Sequence, residues 1–596
     1  MKSIEDRYDY EPSEKCECKS CRMRHINRDV TSEERLDTEM KLFEVHKCID
    51  NQVDEAIADL GELVKMKTIS VEPEHLKYGC MALEWMANRL AALHFKTHLY
   101  PIDNEPHTCF VEPQQKVLFA NYFSSPTKTT VMVYAHIDVV PAERDCWFND
   151  PFELNTRDGL IYGRGVTSGK GMVVGWLQAI ECWLKINEDL PINIKFIVDM
   201  LHEVGSEGLQ HYLQVRSDFF LDVDYMIFDT NSWLNSDRPL IACGLTGWAH
   251  FGLEVRGANK SLESGLAGGL VFEPMTDICH LMNSLVNSNH EINVPRIDHM
   301  VKRLTVEEWH LLQTADFSTY KYMDQLGIRR LRYEGNKVDL LQNRWCKPTL
   351  TMHGIEGSDN RKECSQTLPM LIMGKFSIKM VPDQELAHVH DVVKEYLVNM
   401  HHELEMGTHL TIKLLDTCEP TSWSTSSKIT KVVSRAVGDV FQKEPIASAG
   451  ISICLPIASV FRKMLNKPII LLPYGLRADR HYQENESIEE DLFMRHSKVC
   501  ASLLYEISTL PVRCKCGVIL EYCQLKGRAE RLAALREDEV KETAKRIQLS
   551  ELAHGKSLHN HRRKKNFRDY LCMPFNYKKI MKKLEPNRTP NPLPKP

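Results

Sequence analysis

From about residue 42 onward, short unbroken apolar runs alternate with longer amphipathic stretches, the pattern of strands covered by helices. Runs at 131–134, 193–200, 224–228 and 469–472 are bounded by polar or turn-forming residues, which predicts buried strands. After Gly247 the spacing changes: 249–255 alternates as a strand, 274–286 reads as a helix and 371–380 as another strand. Helices are predicted again at 427–441 and 489–508. The expected fold class is α/β, with a mainly parallel sheet. Residues 1–43 and 512–596 read differently, as a polar amino-terminal extension and a helical, then basic, carboxy-terminal one. The helix in the latter is expected at 528–553, where Ala, Leu, Glu, Lys and Arg abound and breakers are few.

Composition narrows the class without changing it. With 43% hydrophobic and 26% charged residues in a chain of 596, the protein has the make-up of a globular chain of more than one domain. Its formal net charge of -6 gives no overall pull toward nucleic acid. No apolar stretch reaches membrane-spanning length, and Lys2, Glu5, Asp6 and Arg7 argue against a secretory signal, so a cytoplasmic location is expected. In a reducing compartment, cysteines lying singly in apolar segments (Cys182, Cys243, Cys279, Cys454, Cys500) are expected to be buried free thiols.

Two features lie outside the body. Cys16, Cys18, Cys21 and His25 stand at one end, and Cys514, Cys516 and Cys523 at the other. They would make a shared structural zinc site if the termini meet, but the spacing matches no standard finger, and free thiols are the plainer reading. Arg562-Arg563-Lys564-Lys565 and Lys578-Lys579 alternate with Phe567, Tyr570, Phe575 and Tyr577. A nuclear-localisation or nucleic-acid patch is one reading of that tail; a solvated segment is the favoured one.

The chemistry is concentrated in a few strings. Ala135-His136-Ile137-Asp138 follows the run at 131–134, so His136 falls at a strand end, where open α/β sheets place ligand sites. Gly163-Arg164-Gly165-Val166-Thr167-Ser168-Gly169-Lys170-Gly171 comes next, then Leu201-His202-Glu203-Val204-Gly205-Ser206-Glu207-Gly208 after the strand at 193–200. Asp229 closes the run at 224–228, and Ala478-Asp479-Arg480-His481 follows the run at 469–472. Together with 147–152 (WFNDPF), 240–247, Gly354-Ile355-Glu356-Gly357, 374–382 (GKFSIKMVP) and 503–510, these strings resemble the cytosolic non-specific dipeptidase and carnosinase family of di-zinc metallopeptidases, over residues 44–511.

The resemblance implies a zinc-peptidase-like catalytic domain in two parts, 44–247 and 413–511, with an inserted α/β lid and dimerisation domain at 248–412. It implies a homodimer, small peptides as substrates, and zinc or manganese as cofactor. His136 and Asp229 would hold one metal, Glu203 and His481 the other, and Asp138 would orient His136. The departures fall at the centre of that site. Ser168 stands where the family has its bridging aspartate, and His202 where it has the glutamate that acts as catalytic base. In the lid, Glu263 replaces a histidine that reaches the partner's site, Lys379 replaces a substrate-binding arginine, and no arginine occurs in 447–452, where the family has another. Hydrolysis is therefore expected to be impaired or lost. The alternative is an active zinc dipeptidase that uses His202 and a rearranged metal site.

Overall fold

The run at 131–134 forms the centre of a strand in which every residue from Thr130 to His136 is buried. A computed structural model of the chain describes residues 32–102, 115–125, 128–206, 208–230, 239–315, 317–358, 366–474 and 480–510. The two cysteine clusters, Asp479, the helix expected at 528–553 and the basic tail lie outside the described residues. In chain order, the strands of the two larger sheets are β1 (Lys96–Pro101), β2 (Lys116–Tyr122), β3 (Thr130–His136), β4 (Asn193–Asp199), β5 (Tyr225–Thr230), β6 (Gly247–Arg256), β7 (Thr349–Glu356), β8 (Leu371–Met380), β9 (His409–Cys418) and β10 (Ile469–Pro473). The helices used below are α1 (Ser32–Asp50), α2 (Val53–Lys65), α3 (Gly169–Asn187), α4 (Pro274–Ser284), α5 (Thr319–Leu326), α6 (Lys337–Trp345), α7 (Leu386–Glu403) and α8 (Glu490–Ser508).

The first sheet has the order β1-β2-β4-β3-β5-β10. Its inner pairs β4–β3, β3–β5 and β5–β10 are parallel, as the continuous apolar runs predict. The edge departs from that expectation, because β1–β2 and β2–β4 are antiparallel. Register brings His136 opposite Asp199 and Leu472 opposite Asp229, so the polar ends of several strands share one edge. Helix α3 is buried at every position from Gly169 to Ile180, which explains an apolar sequence with no polar face. Against it pack α1 and α8, and the buried Trp183 donates its indole N–H to Ala501 O at 3.1 Å.

The second sheet, β7-β8-β6-β9, is antiparallel throughout. Strand β8 alternates strictly, with Ile372, Phe376, Ile378 and Met380 turned inward. They meet Phe251 and Val255 of β6, Ile278 of α4 and Val393 of α7 in a core distinct from that of the first sheet. Phe251 and Phe376 stack with centroids 4.9 Å apart. Gly374 interrupts β8 because a side chain there would come within 2.5 Å of Met282 Sδ on α4. Among the described residues, no helix is long and apolar enough to cross a membrane.

Candidate active site

Parallel strands present their carboxyl ends to one edge, and the candidate residues follow those ends. His136 ends β3, His202 and Glu203 follow β4, Asp229 lies in β5, and His481 follows β10. The string at 163–171 turns from the small strand Leu160–Tyr162 into α3, with Ser168 as the residue before the helix. What shapes this turn is Glu486, which is wholly buried. It accepts from Gly165 N at 3.1 Å, Thr167 N at 3.0 Å, Thr167 Oγ1 at 2.7 Å and the Arg164 guanidinium at 2.8 Å. The turn lies so close to β3 that a side chain at Gly169 would meet His136 O at 2.0 Å, which only glycine avoids.

Asp138 lies against His136, whose Nδ1 is 3.2 Å from the Asp138 backbone O and 3.3 Å from Asp138 Oδ1. Its Oδ2 accepts from Ser70 Oγ at 2.7 Å and from Glu203 N at 2.8 Å, tying the β4 end to the β3 end. Burial opposes ionisation of both members of the pair, yet their mutual hydrogen bond and charge prevail, holding Asp138 below the usual carboxylate range and His136 above the usual imidazole range. His202 stacks on His136 with ring centroids 4.2 Å apart, and its Nδ1 lies 2.9 Å from Tyr134 Oη. Burial, then the neighbouring His136, push His202 down to about 3, so its ring is neutral at physiological pH.

Asp229 accepts from Trp176 Nε1 at 2.9 Å through Oδ2, while Oδ1 is buried, has no hydrogen-bond partner among the described residues and lies 3.9 Å from His496 Nε2. Burial pushes its carboxyl up to about 7. Glu203 accepts from Tyr482 Oη at 2.8 Å, and burial raises its carboxyl. His481 Nδ1 lies 3.1 Å from Thr167 Oγ1, and burial pushes its ring down to about 4.

A cavity of about 630 Å³ brings together His136, Ser168, His202, Asp229 and His481, with Tyr322 and Leu326 of α5, Arg344 and Trp345 of α6 and Lys379 of β8 on its far side. Glu203 does not line it; its carboxylate is turned to Tyr482. Lys379 lines the cavity, but its ammonium donates to the carbonyls of Asn343 at 2.9 Å and Arg344 at 2.7 Å, holding the last turn of α6. Burial pushes it down to about 8. Glu263 stands elsewhere: it is exposed, outside the cavity, and accepts from Gly265 N at 3.3 Å.

Several contributors carry no signal in the sequence strings. Tyr482 and Glu486 lie just beyond the His481 string and Trp176 just beyond the 163–171 string, outside the strings themselves, and Tyr134 lies in a run that reads only as apolar. Arg344 lies on a helix that periodicity does not predict.

The residues present do not fit the carboxylate-bridged pair of zinc or manganese ions that the resemblance implies. Ser168 is a neutral hydroxyl where the resemblance puts the bridging carboxylate, and His202 brings no negative charge where it puts the base. Among the described residues, no group of three or more His, Cys, Asp or Glu side chains could hold a metal ion.

The sheet order, the strand-end residues and the cavity define an α/β framework with its site at the carboxyl ends of the parallel strands. The chain belongs to peptidase family M20/M25/M40, whose model matches residues 132–506. It is 31% identical over 482 residues to a Beta-Ala-His dipeptidase of Homo sapiens, covering 79% of this chain and 93% of that one. It is 30% identical over 479 residues to the Cys-Gly metallodipeptidase dug1 of Schizosaccharomyces pombe, covering 79% and 99%. Among solved structures it is similar to human carnosine dipeptidase 1, with a TM-score of 0.63 at 30% identity over 79% of this chain and 99% of that one. The di-peptidase Dug1p of Saccharomyces cerevisiae gives a TM-score of 0.64 at 26% identity, over the same shares. The dipeptidase resemblance and the α/β fold class are thereby established for this chain.

Proposed function

We propose that this chain is a dipeptidase-type homologue whose cavity receives small peptides but whose metal-dependent hydrolysis is impaired or lost. The observation that carries this reading is the pair Ser168 and His202, two groups without negative charge lining the cavity where the resemblance calls for the bridging and base carboxylates. Two dications bring four positive charges, and Asp229 and Glu203 alone leave them undercompensated. A second reading keeps hydrolysis, with His202 as the base. In its favour, the ring faces the cavity beside His136 and is fixed by Tyr134. One experiment separates the two: metal analysis of the purified protein alongside hydrolysis of simple dipeptides with zinc or manganese added. We expect zinc far below about two ions per chain and turnover well under about 1 per second. Two tightly held ions with turnover in the usual range of about 1 to 10³ per second would establish His202 as a working base.

The same reading takes residues 248–412 as a lid and dimerisation domain, and the assembly as a homodimer. Support comes from the segment after Glu263, where Leu266, Leu270 and Phe272 are 79%, 81% and 59% exposed. An apolar patch of that kind marks an interaction surface. The full chain is expected to sediment as a dimer at micromolar concentration and Leu270→Asp as a monomer; a monomeric wild type would overturn the assignment.

A further inference from the structure

Away from the cavity, two thiols face each other across a helix contact. Cys48, in the last turn of α1, and Cys182, in the penultimate turn of α3, both lie against the same oxygen, Gln52 Oε1, at 3.6 Å and 2.8 Å. The corner is well held: Gln178, one turn before Cys182, donates to the carbonyls of Ile49 and Gln52 at 3.3 Å and 3.2 Å. Cys182 is buried, whereas Cys48 is half-buried and opens on a surface cleft of about 300 Å³ that is also lined by Glu44, Lys47 and Lys185. Lys185 interacts electrostatically with both sulfurs. An accessible thiol beside cationic side chains, backed by a second thiol within reach, has the parts of a redox site: one sulfur to meet the oxidant and one to resolve it.

We propose that Cys48 and Cys182 form a reversible disulfide, with a peroxide as oxidant. The Cys48 thiolate attacks one oxygen of hydrogen peroxide, breaking the O–O bond, giving a sulfenic acid and releasing hydroxide, which is protonated to water. The Cys182 sulfur then attacks the Cys48 sulfur and displaces its hydroxide, which takes the Cys182 proton and leaves as a second water. Two thiols are oxidised by two electrons and one peroxide is reduced to two waters; a small thiol reductant reverses the step and is itself oxidised to its disulfide. Burial raises the Cys182 thiol, which keeps it protonated and assigns the first attack to Cys48. The bond would clasp the end of α1 to α3, the helix whose other end carries Ser168 and Gly169 to the cavity.

The proposal stands independently of whether the chain hydrolyses peptides. The test uses the full chain, reduced, exposed to a slight excess of hydrogen peroxide, alkylated and digested without reductant. The expected product is a peptide pair linked through Cys48 and Cys182, lighter by two hydrogens than its parts, present in most molecules and absent after reduction. Cys146 serves as an internal control for unselective oxidation, as do Cys279 and Cys454, which are exposed and not buried as their apolar segments predict. Because the Lys185 side chain is half exposed, Lys185→Gln keeps the fold and should slow the linkage several-fold. The proposal is overturned if Cys48 stays reduced while the controls oxidise, or if Cys48 is oxidised or capped by a small thiol while Cys182 remains alkylatable.

Discussion

The double substitution Ser168→Asp and His202→Glu raises the zinc retained through purification from a trace towards about two ions per chain. An aspartate at position 168 would stand at the entrance to α3, opposite the end of β3, and supply the negatively charged bridge that a hydroxyl cannot. A glutamate at position 202 removes the neutral ring stacked 4.2 Å from His136 and restores a carboxylate that can take a proton. A general base contributes about 10²- to 10⁴-fold to rate, so dipeptide turnover should rise as well. It should recover less completely than the metal content. Lys379 donates to the carbonyls at the end of α6 and lacks the bidentate fork of arginine, and Glu263 adds a carboxylate at the family's inter-subunit position. Metal analysis and turnover on the same preparation check both halves. Unchanged zinc content in a folded double variant would show that the donor substitutions are not what limits metal binding.

Glu486→Ala destabilises the chain by about 3–5 kcal/mol, read as a lowered urea midpoint. The Arg164 and Glu486 side chains are 4% and 1% exposed, so removing the carboxylate leaves a buried guanidinium with Pro141 O at 3.3 Å and the Trp147 ring as contacts among the described residues. The N–H groups of Gly165 and Thr167 lose their acceptor at the same time. An exposed pair offers the contrast: Arg157 and Asp158 are 75% and 83% exposed, and Arg157→Ala should leave the midpoint unchanged. Equal midpoints for Glu486→Ala and the wild type would mean that the turn before α3 is held by something other than this carboxylate.

Much of the scaffold is legible in the sequence because its signals are local. Expected strands at 131–134 and 371–380 match β3 and β8, since a run buried on both faces and a strict alternation are each visible in a few residues. The helix expected at 274–286 forms as Pro274–Ser284. The antiparallel β1–β2 edge has no such signal, because direction of pairing depends on connections rather than on composition. Asp138 beside His136 is readable from a spacing of two at a strand end, whereas Tyr482 on Glu203 is not, because 279 residues separate them.

By itself, the order of residues determined the family, the α/β class and the strand ends that carry His136, Glu203 and Asp229, and it put Ser168 and His202 where the resemblance implies two carboxylates. These depend on local periodicity and on residue identity, which a string of letters contains in full. Only the tertiary structure decided what each side chain meets: Asp229 meets Trp176, Glu203 meets Tyr482, Lys379 meets the end of α6, and Glu263 stays outside the cavity. A buried side chain's direction is set by the partners that burial brings within hydrogen-bonding reach, and for Asp229, Glu203 and Lys379 those partners lie tens to hundreds of residues away along the chain.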